Sequence, residues 1–153
     1  MTIEDYIAFF ERVPTLGGLG RDALRILAIF AESRDLHAGE VLFTTGEPAD
    51  AAYVIQEGSF SLAAEGAEDA GRPLVVGRGT LLGELALLIE STRPATATAL
   101  EPSTVLRIPR PLFLKVLDGL PDVARKLRDI IARRNEEATA DVYVLGTRLD
   151  SNK

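Results

Sequence analysis

The chain contains no cysteine and a single histidine, His37, among its 153 residues. Disulfides, thiolate metal centres and cysteine nucleophiles are thereby excluded, which is compatible with a reducing compartment. One histidine is too few for an inward-facing multi-histidine metal site. It lies just before an expected strand with nothing marking a nucleophile beside it, so no metal site, no catalytic site and no enzymatic activity are expected. No apolar run approaches the ~20 residues needed to span a bilayer. The opening Met1-Thr2-Ile3-Glu4-Asp5 has no basic stretch ahead of an apolar one, so no secretory signal is expected and the cytoplasm is the expected location. An excess of positive charge is missing too: 17 Lys and Arg face 23 Asp and Glu, a formal net charge of −6. Nucleic acids and anionic membranes require a basic face, so neither is an expected partner. The one local basic cluster, Arg125 to Arg134, is interrupted by Asp129 and followed by Glu136 and Glu137, and reads as a solvated helix face.

Hydrophobic residues make up 46% of the chain, enough for a packed core in one domain spanning 1–153. Helical spacing runs over about residues 3–34, where Ile7, Phe10, Leu24, Leu27 and Phe30 recur at three-residue steps. Pro14 and Gly17-Gly18 split this region into two helices. From about 35 to 110 short β-type runs replace it: Val41–Phe43, Ala52–Ile55, Phe60–Leu62, Leu74–Val76 and Thr104–Ile108. Glycines 39, 46, 58, 66, 71, 77 and 79 punctuate them, the pattern of a small antiparallel barrel or sandwich. Ala63 to Pro73, small and acidic, reads as an exposed hairpin tip. Helical periodicity returns over about 111–145, with Pro111 at a first helical position and Gly119 and Pro121 separating two helices. The last carries Val123, Leu127, Ile130, Ile131, Ala138 and Val142 on one side. The expected class is α+β, mainly β, with a β-roll or jelly-roll barrel between N-terminal and C-terminal helices.

Within this frame one stretch carries chemistry. Gly83-Glu84-Leu85-Ala86-Leu87-Leu88 opens a short apolar turn on a glycine and an acid, and Arg93-Pro94-Ala95-Thr96-Ala97 follows after a small polar loop. A carboxylate can accept from a hydroxyl, a guanidinium can bind phosphate oxygens as a fork, and the amides of a helical first turn add neutral donors. That set suits a small ligand carrying both sugar hydroxyls and a phosphate. Taken singly, Glu84 could be a helix-start acid and Arg93 a surface ion-pair partner.

Residues 83–97 resemble the phosphate-binding cassette of the cyclic-nucleotide-binding domain family, with no gap needed. Gly39-Glu40, Gly46, Asp50, Tyr53-Val54-Ile55 and Glu57-Gly58 are similar to that family's early β-roll turns. The resemblance covers about residues 10 to 135. It implies a ligand, cAMP or cGMP, and no other cofactor. It further implies that Glu84, with Gly83 beside it, accepts from the ribose 2′-hydroxyl, that Arg93 pairs with the cyclic phosphate, and that the amide of Ala86 points at the phosphate oxygens. Leu85 and Ala95 complete the candidate binding set. The base would lie on the apolar roll, covered by a residue of the C-terminal helix, for which Val142, Tyr143 and Leu145 are the candidates. Heptad-like steps at Ile131, Ala138, Val142 and Leu145 also suit a homodimer seam.

The chain departs from the usual cassette at Pro94, which offers neither an N–H nor a hydroxyl where relatives often carry alanine, serine or threonine. That leans towards cAMP over cGMP. Glu90 is expected to point outward, Thr96 and Ala95 to order the strand leaving the cassette, Tyr53 to be core and His37 to lie in a turn. No helix-turn-helix follows Ile131, so the expected output is movement of the last helix against an unidentified effector protein. The competing expectation is an unliganded β-roll acting as an interaction or scaffold subunit.

Overall fold

The computed structural model describes residues 1–64 and 73–137. The order is α1 (Ile3–Glu11), α2 (Arg21–Phe30), β1 (Glu32–Leu36), β2 (Val41–Phe43), β3 (Pro48–Ala49), β4 (Ala51–Glu57), β5 (Ser59–Ala63), β6 (Leu74–Gly77), β7 (Leu81–Leu82), a 3-10 turn (Glu84–Leu87), β8 (Ser91–Thr92), β9 (Thr96–Ala99), β10 (Ser103–Pro109), α3 (Arg110–Asp118) and α4 (Pro121–Glu137). Helices, an antiparallel β-roll and helices thus follow one another as the residue pattern anticipates. Two four-stranded sheets, ordered β1-β10-β4-β7 and β2-β9-β5-β6, form the roll, and the pair β3-β8 clips one end.

Local chemistry fixes the boundaries. Thr2 and Asp5 form a reciprocal capping box: the Thr2 amide donates to the Asp5 carboxylate at 2.9 Å, and the Asp5 amide to the Thr2 hydroxyl at 3.1 Å. The bond from the Thr2 amide, helped by the Thr2 side chain, holds the Asp5 carboxyl below its usual range. Gly119 caps α3 and Pro121 opens α4. Pro111 takes the second position of α3, because Arg110 already has helical geometry. Residues 32–34, expected to be helical, instead pair with Leu106 and its neighbours as part of β1. Ala31 takes an extended conformation that ends α2 one residue earlier. Phe30 is likewise displaced from the expected apolar stripe; it is 61% exposed. β5 and β6 pair antiparallel as the arms of the expected hairpin, whose tip at 65–72 lies outside the described residues.

Two hydrophobic clusters divide the interior. One joins the helices to the outer face of the first sheet: Ile7, Phe10, Leu16, Leu24, Leu27, Phe113 and Leu117 pack with Val54, Leu81, Leu87 and Ile108. The other fills the roll with Phe43, Tyr53, Ile55, Phe60, Leu62, Leu82 and Val105. Strand β4 is the shared wall. Its side chains alternate with a period of two, so Ala52 and Val54 enter the helical cluster while Tyr53 and Ile55 enter the roll. A strand buried on both faces reads as one continuous apolar run, as 51–55 does. β7 repeats the arrangement, with Leu81 on the helical side and Leu82 inside.

The crossing from β4 into β5 depends on Gly58. Its φ is +96°, and a Cβ there would overlap Ser103 Oγ and lie 2.8 Å from Ser103 Cα. Gly58→Ala is therefore expected to destabilise the fold by at least about 2 kcal/mol through left-handed strain and overpacking. A urea midpoint unchanged from the parent protein would show that the corner can relax.

Candidate functional site

The cassette begins where β7 stops. Gly83 takes the left-handed conformation, φ 83° and ψ 33°, and turns the chain straight into the 3-10 turn. The Ala86 amide donates to the Gly83 carbonyl at 3.0 Å and closes that turn, so in this conformation it is engaged within the cassette. Ala86 and Leu87 are buried, Leu85 is half-buried and Glu90 is exposed, as expected of it. Beyond the turn, β8 pairs with β3. The main chain of Arg93 is then held on both sides: its amide donates to the Glu47 carbonyl at 2.8 Å, and its carbonyl accepts from the Gly46 amide at 2.8 Å. Pro94 is exposed and Ala95 buried. Thr96 orders the departing strand through its hydroxyl, which accepts from the Thr45 amide at 3.0 Å.

From this clasp the Arg93 side chain runs into the roll, where the residue is only 4% exposed. Its guanidinium carbon lies 4.4 Å from the Phe43 ring centroid and 5.6 Å from that of Tyr53. The two rings are themselves 6.0 Å apart. Cation–π attraction offsets part of the burial cost. It does not replace hydrogen bonds, and Nε and Nη1 have no hydrogen-bond partner among the described residues. Burial lowers the Arg93 pKa; Tyr53, Asp50 and Glu47 oppose that shift, while Arg107 adds to it. Gly83 makes room for the charge, since a Cβ there would stand 2.5 Å from Arg93 Nη1.

Glu84 is also buried, at 7% exposure, but its carboxylate is occupied from another direction. The Thr15 hydroxyl, in the segment between α1 and α2, donates to Glu84 Oε2. Val13, Leu16 and Leu19 of that segment belong to the helical cluster, whereas Phe43 and Tyr53 beneath Arg93 belong to the roll. The cassette motif predicts a guanidinium and a carboxylate turned to one ligand. The structure places both at the cassette, buried, with Thr15 on the carboxylate and aromatic faces on the guanidinium.

Thr15 and Arg110 escaped notice in the sequence. Arg110 donates from Nε to the Ala86 carbonyl at 2.8 Å and from Nη2 to the Ala49 carbonyl at 2.5 Å, tying the cassette and β3 to the start of α3. One signal was available: a cation in a helix's first turn opposes the helix dipole and invites another explanation. Tyr53 is core, as expected, but it also supports Arg93, and its phenol meets Arg107. His37 lies in the turn after β1, its amide donating to Glu40 at 3.0 Å. Val142, Tyr143, Leu145 and Ala138 lie outside the described residues. Among the described residues no group of three or more His, Cys, Asp or Glu could hold a metal ion, and no helix is long and apolar enough to cross a membrane.

The model of the cyclic nucleotide-binding domain family matches residues 33–119, more than half of the chain. The chain therefore belongs to the cyclic nucleotide-binding domain family. It is 30% identical over 133 residues to the cyclic AMP receptor protein of Thermus thermophilus, covering 86% of this chain and 62% of that protein. A solved cyclic nucleotide-binding-like protein from Brucella abortus superposes with a TM-score of 0.65 at 37% identity, over 74% of this chain and 98% of that one. A potassium channel-type protein of Rhodopseudomonas palustris matches 80% of this chain at 32% identity, but only 30% of its own length is involved. The chain thus spans less than two thirds of these two curated relatives.

A buried cation with unmet donors costs stability. Arg93→Met, which keeps length and removes charge, is expected to raise the urea stability of the ligand-free protein by about 1 kcal/mol. A clear loss instead would assign Arg93 a structural duty in the roll.

Proposed function

We propose that this chain is a cyclic-nucleotide receptor module, binding cAMP in preference to cGMP within the roll. The observation that carries this reading is the Arg93 guanidinium, buried in an aromatic-lined interior with Nε and Nη1 lacking acceptors among the described residues. A cyclic phosphate brings one negative charge and two free oxygens, which suit two donors of a fork. Phe43 and Tyr53 flank the charge with apolar surface. Glu84 would meet the ribose 2′-hydroxyl once its own hydroxyl donor is exchanged, and the cassette turn would then offer its amides to the phosphate. Exposed Pro94 supplies no hydroxyl for a guanine edge, which supports adenine over guanine.

Occupancy would be passed on through contacts already made. Arg110 joins the Ala86 carbonyl to α3, and α3 packs on α4. A ligand that favours one cassette arrangement shifts these helices only as far as its affinities for the two states differ. The recipient of that movement is an effector of unstated identity, and movement of the last helix is the proposed output. A second reading, an unliganded scaffold subunit, draws on the same site: Thr15 already donates to Glu84 and two rings already flank Arg93.

Isothermal titration with cAMP and cGMP separates the two. The receptor predicts micromolar or tighter binding, weakened between about tenfold and a hundredfold in Arg93→Ala and in Glu84→Ala, since each removes a charge-assisted contact. Arg93→Lys should also bind more weakly, because a point charge cannot reproduce the fork. No heat from folded protein with either nucleotide would favour the scaffold. Pro94→Thr should raise cGMP affinity relative to cAMP; a fixed ratio would mean that this side chain does not meet the base.

A further inference from the structure

We propose that Thr15 is an internal competitor for the ligand, its hydroxyl occupying Glu84 as a ribose 2′-hydroxyl would. The proposal rests on the receptor reading and concerns what the ligand must displace. Two independent features of Thr15 point to it. First, its hydroxyl donates to the cassette carboxylate across 69 positions of sequence, at part-buried depth. Second, Thr15 is the one non-glycine residue with positive φ among the described residues, at 78°. A β-branched side chain in the left-handed region is unfavourable and persists only where its surroundings dictate it.

Those surroundings are well defined. Val13, Leu16 and Leu19 are buried on either side of Thr15. The segment is wound by bonds from the Leu16 amide to the Val13 carbonyl (3.2 Å), the Gly17 amide to the same carbonyl (3.0 Å) and the Leu19 amide to the Leu16 carbonyl (3.0 Å). Gly17 is packed so closely that a Cβ would come within 2.7 Å of the Glu11 carbonyl oxygen. A hydrogen-bonded loop therefore presents one hydroxyl to the acid that the ligand's sugar would use. Both donors are aliphatic O–H groups directed at the same carboxylate, so they are chemically alike.

The competition has a distinctive signature. On this proposal a ligand's 2′-hydroxyl takes the place of Thr15 at Glu84 Oε2, so binding forfeits that bond. A 2′-deoxy ligand leaves the Thr15–Glu84 bond in place and loses nothing by it. Removing the Thr15 hydroxyl should therefore strengthen binding of the first ligand only. Release of Thr15 would also loosen the loop between α1 and α2, coupling the amino-terminal helices to occupancy.

The test is titration of cAMP and 2′-deoxy-cAMP against the full chain, with Thr15→Val removing the hydroxyl at constant shape and Thr15→Ser retaining it. Thr15→Val should bind cAMP about tenfold more tightly, the size of one hydrogen bond to a charged acceptor, with 2′-deoxy-cAMP unchanged and Thr15→Ser close to the parent. Binding by Thr15→Val where the parent shows none also supports the competitor. Equal gains for both nucleotides, no gain, or weaker cAMP binding overturns the competitor and leaves the receptor reading intact. Absence of binding in the parent and every variant removes the receptor reading and the competitor with it. Should Thr15→Val fail to fold, Thr15→Gly, which suits φ of 78°, takes its place: a gain for cAMP alone supports the competitor, and any other pattern overturns it.

Discussion

A guanidinium held inside a β-roll against two aromatic rings is the constraint around which this molecule is arranged. Desolvating a cation is costly, and aromatic faces return only part of that cost. The surrounding backbone is accordingly specialised. Gly83 leaves space beside Nη1, and Glu47 and Gly46 fasten the main chain from which the side chain departs. The β3–β8 pair holds those fastening points together. None of these features improves the hydrophobic interior of the roll. All of them keep one positive charge where water has little access, which is a condition for strong and selective recognition of an anion.

The carboxylate of the cassette is managed differently. Glu84 is held by a hydroxyl from the helical side of the molecule, so the cassette stands between two territories. Arg110 strengthens that position, because its guanidinium grips a cassette carbonyl and a β3 carbonyl from the first turn of α3. The cassette and the start of α3 are thus joined by direct bonds. In this architecture the amino-terminal loop and the carboxyl-terminal helices meet the same short turn from opposite ends of the sequence.

Much of this was legible in the residues. Strands β2, β4, β5, β6 and β10 coincide with runs of β-branched and aromatic residues, and the breaks at Pro14, Gly119 and Pro121 fall where backbone chemistry demands them. β1 was not visible, because Glu32-Ser33-Arg34-Asp35 has no apolar alternation; its four exposed residues are held by pairing with β10 and not by burial. β3, β7 and β8 are two residues each, too short for any periodicity. The cassette was legible as a motif. The partners of Glu84 and Arg93 were not, because Thr15–Glu84 and Arg93–Phe43 are contacts between distant segments that no local spacing encodes.

Strand β4 has a consequence for how such a protein can change. Odd-numbered side chains there, Tyr53 and Ile55, shape the interior of the roll, while even-numbered ones, Ala52 and Val54, shape the helical layer. Parity along a single strand therefore partitions two evolutionary problems. Substitutions at odd positions alter the packing inside the roll, and those at even positions alter how the helices pack against it. Roll-facing and helix-facing packing can therefore be altered separately along one strand.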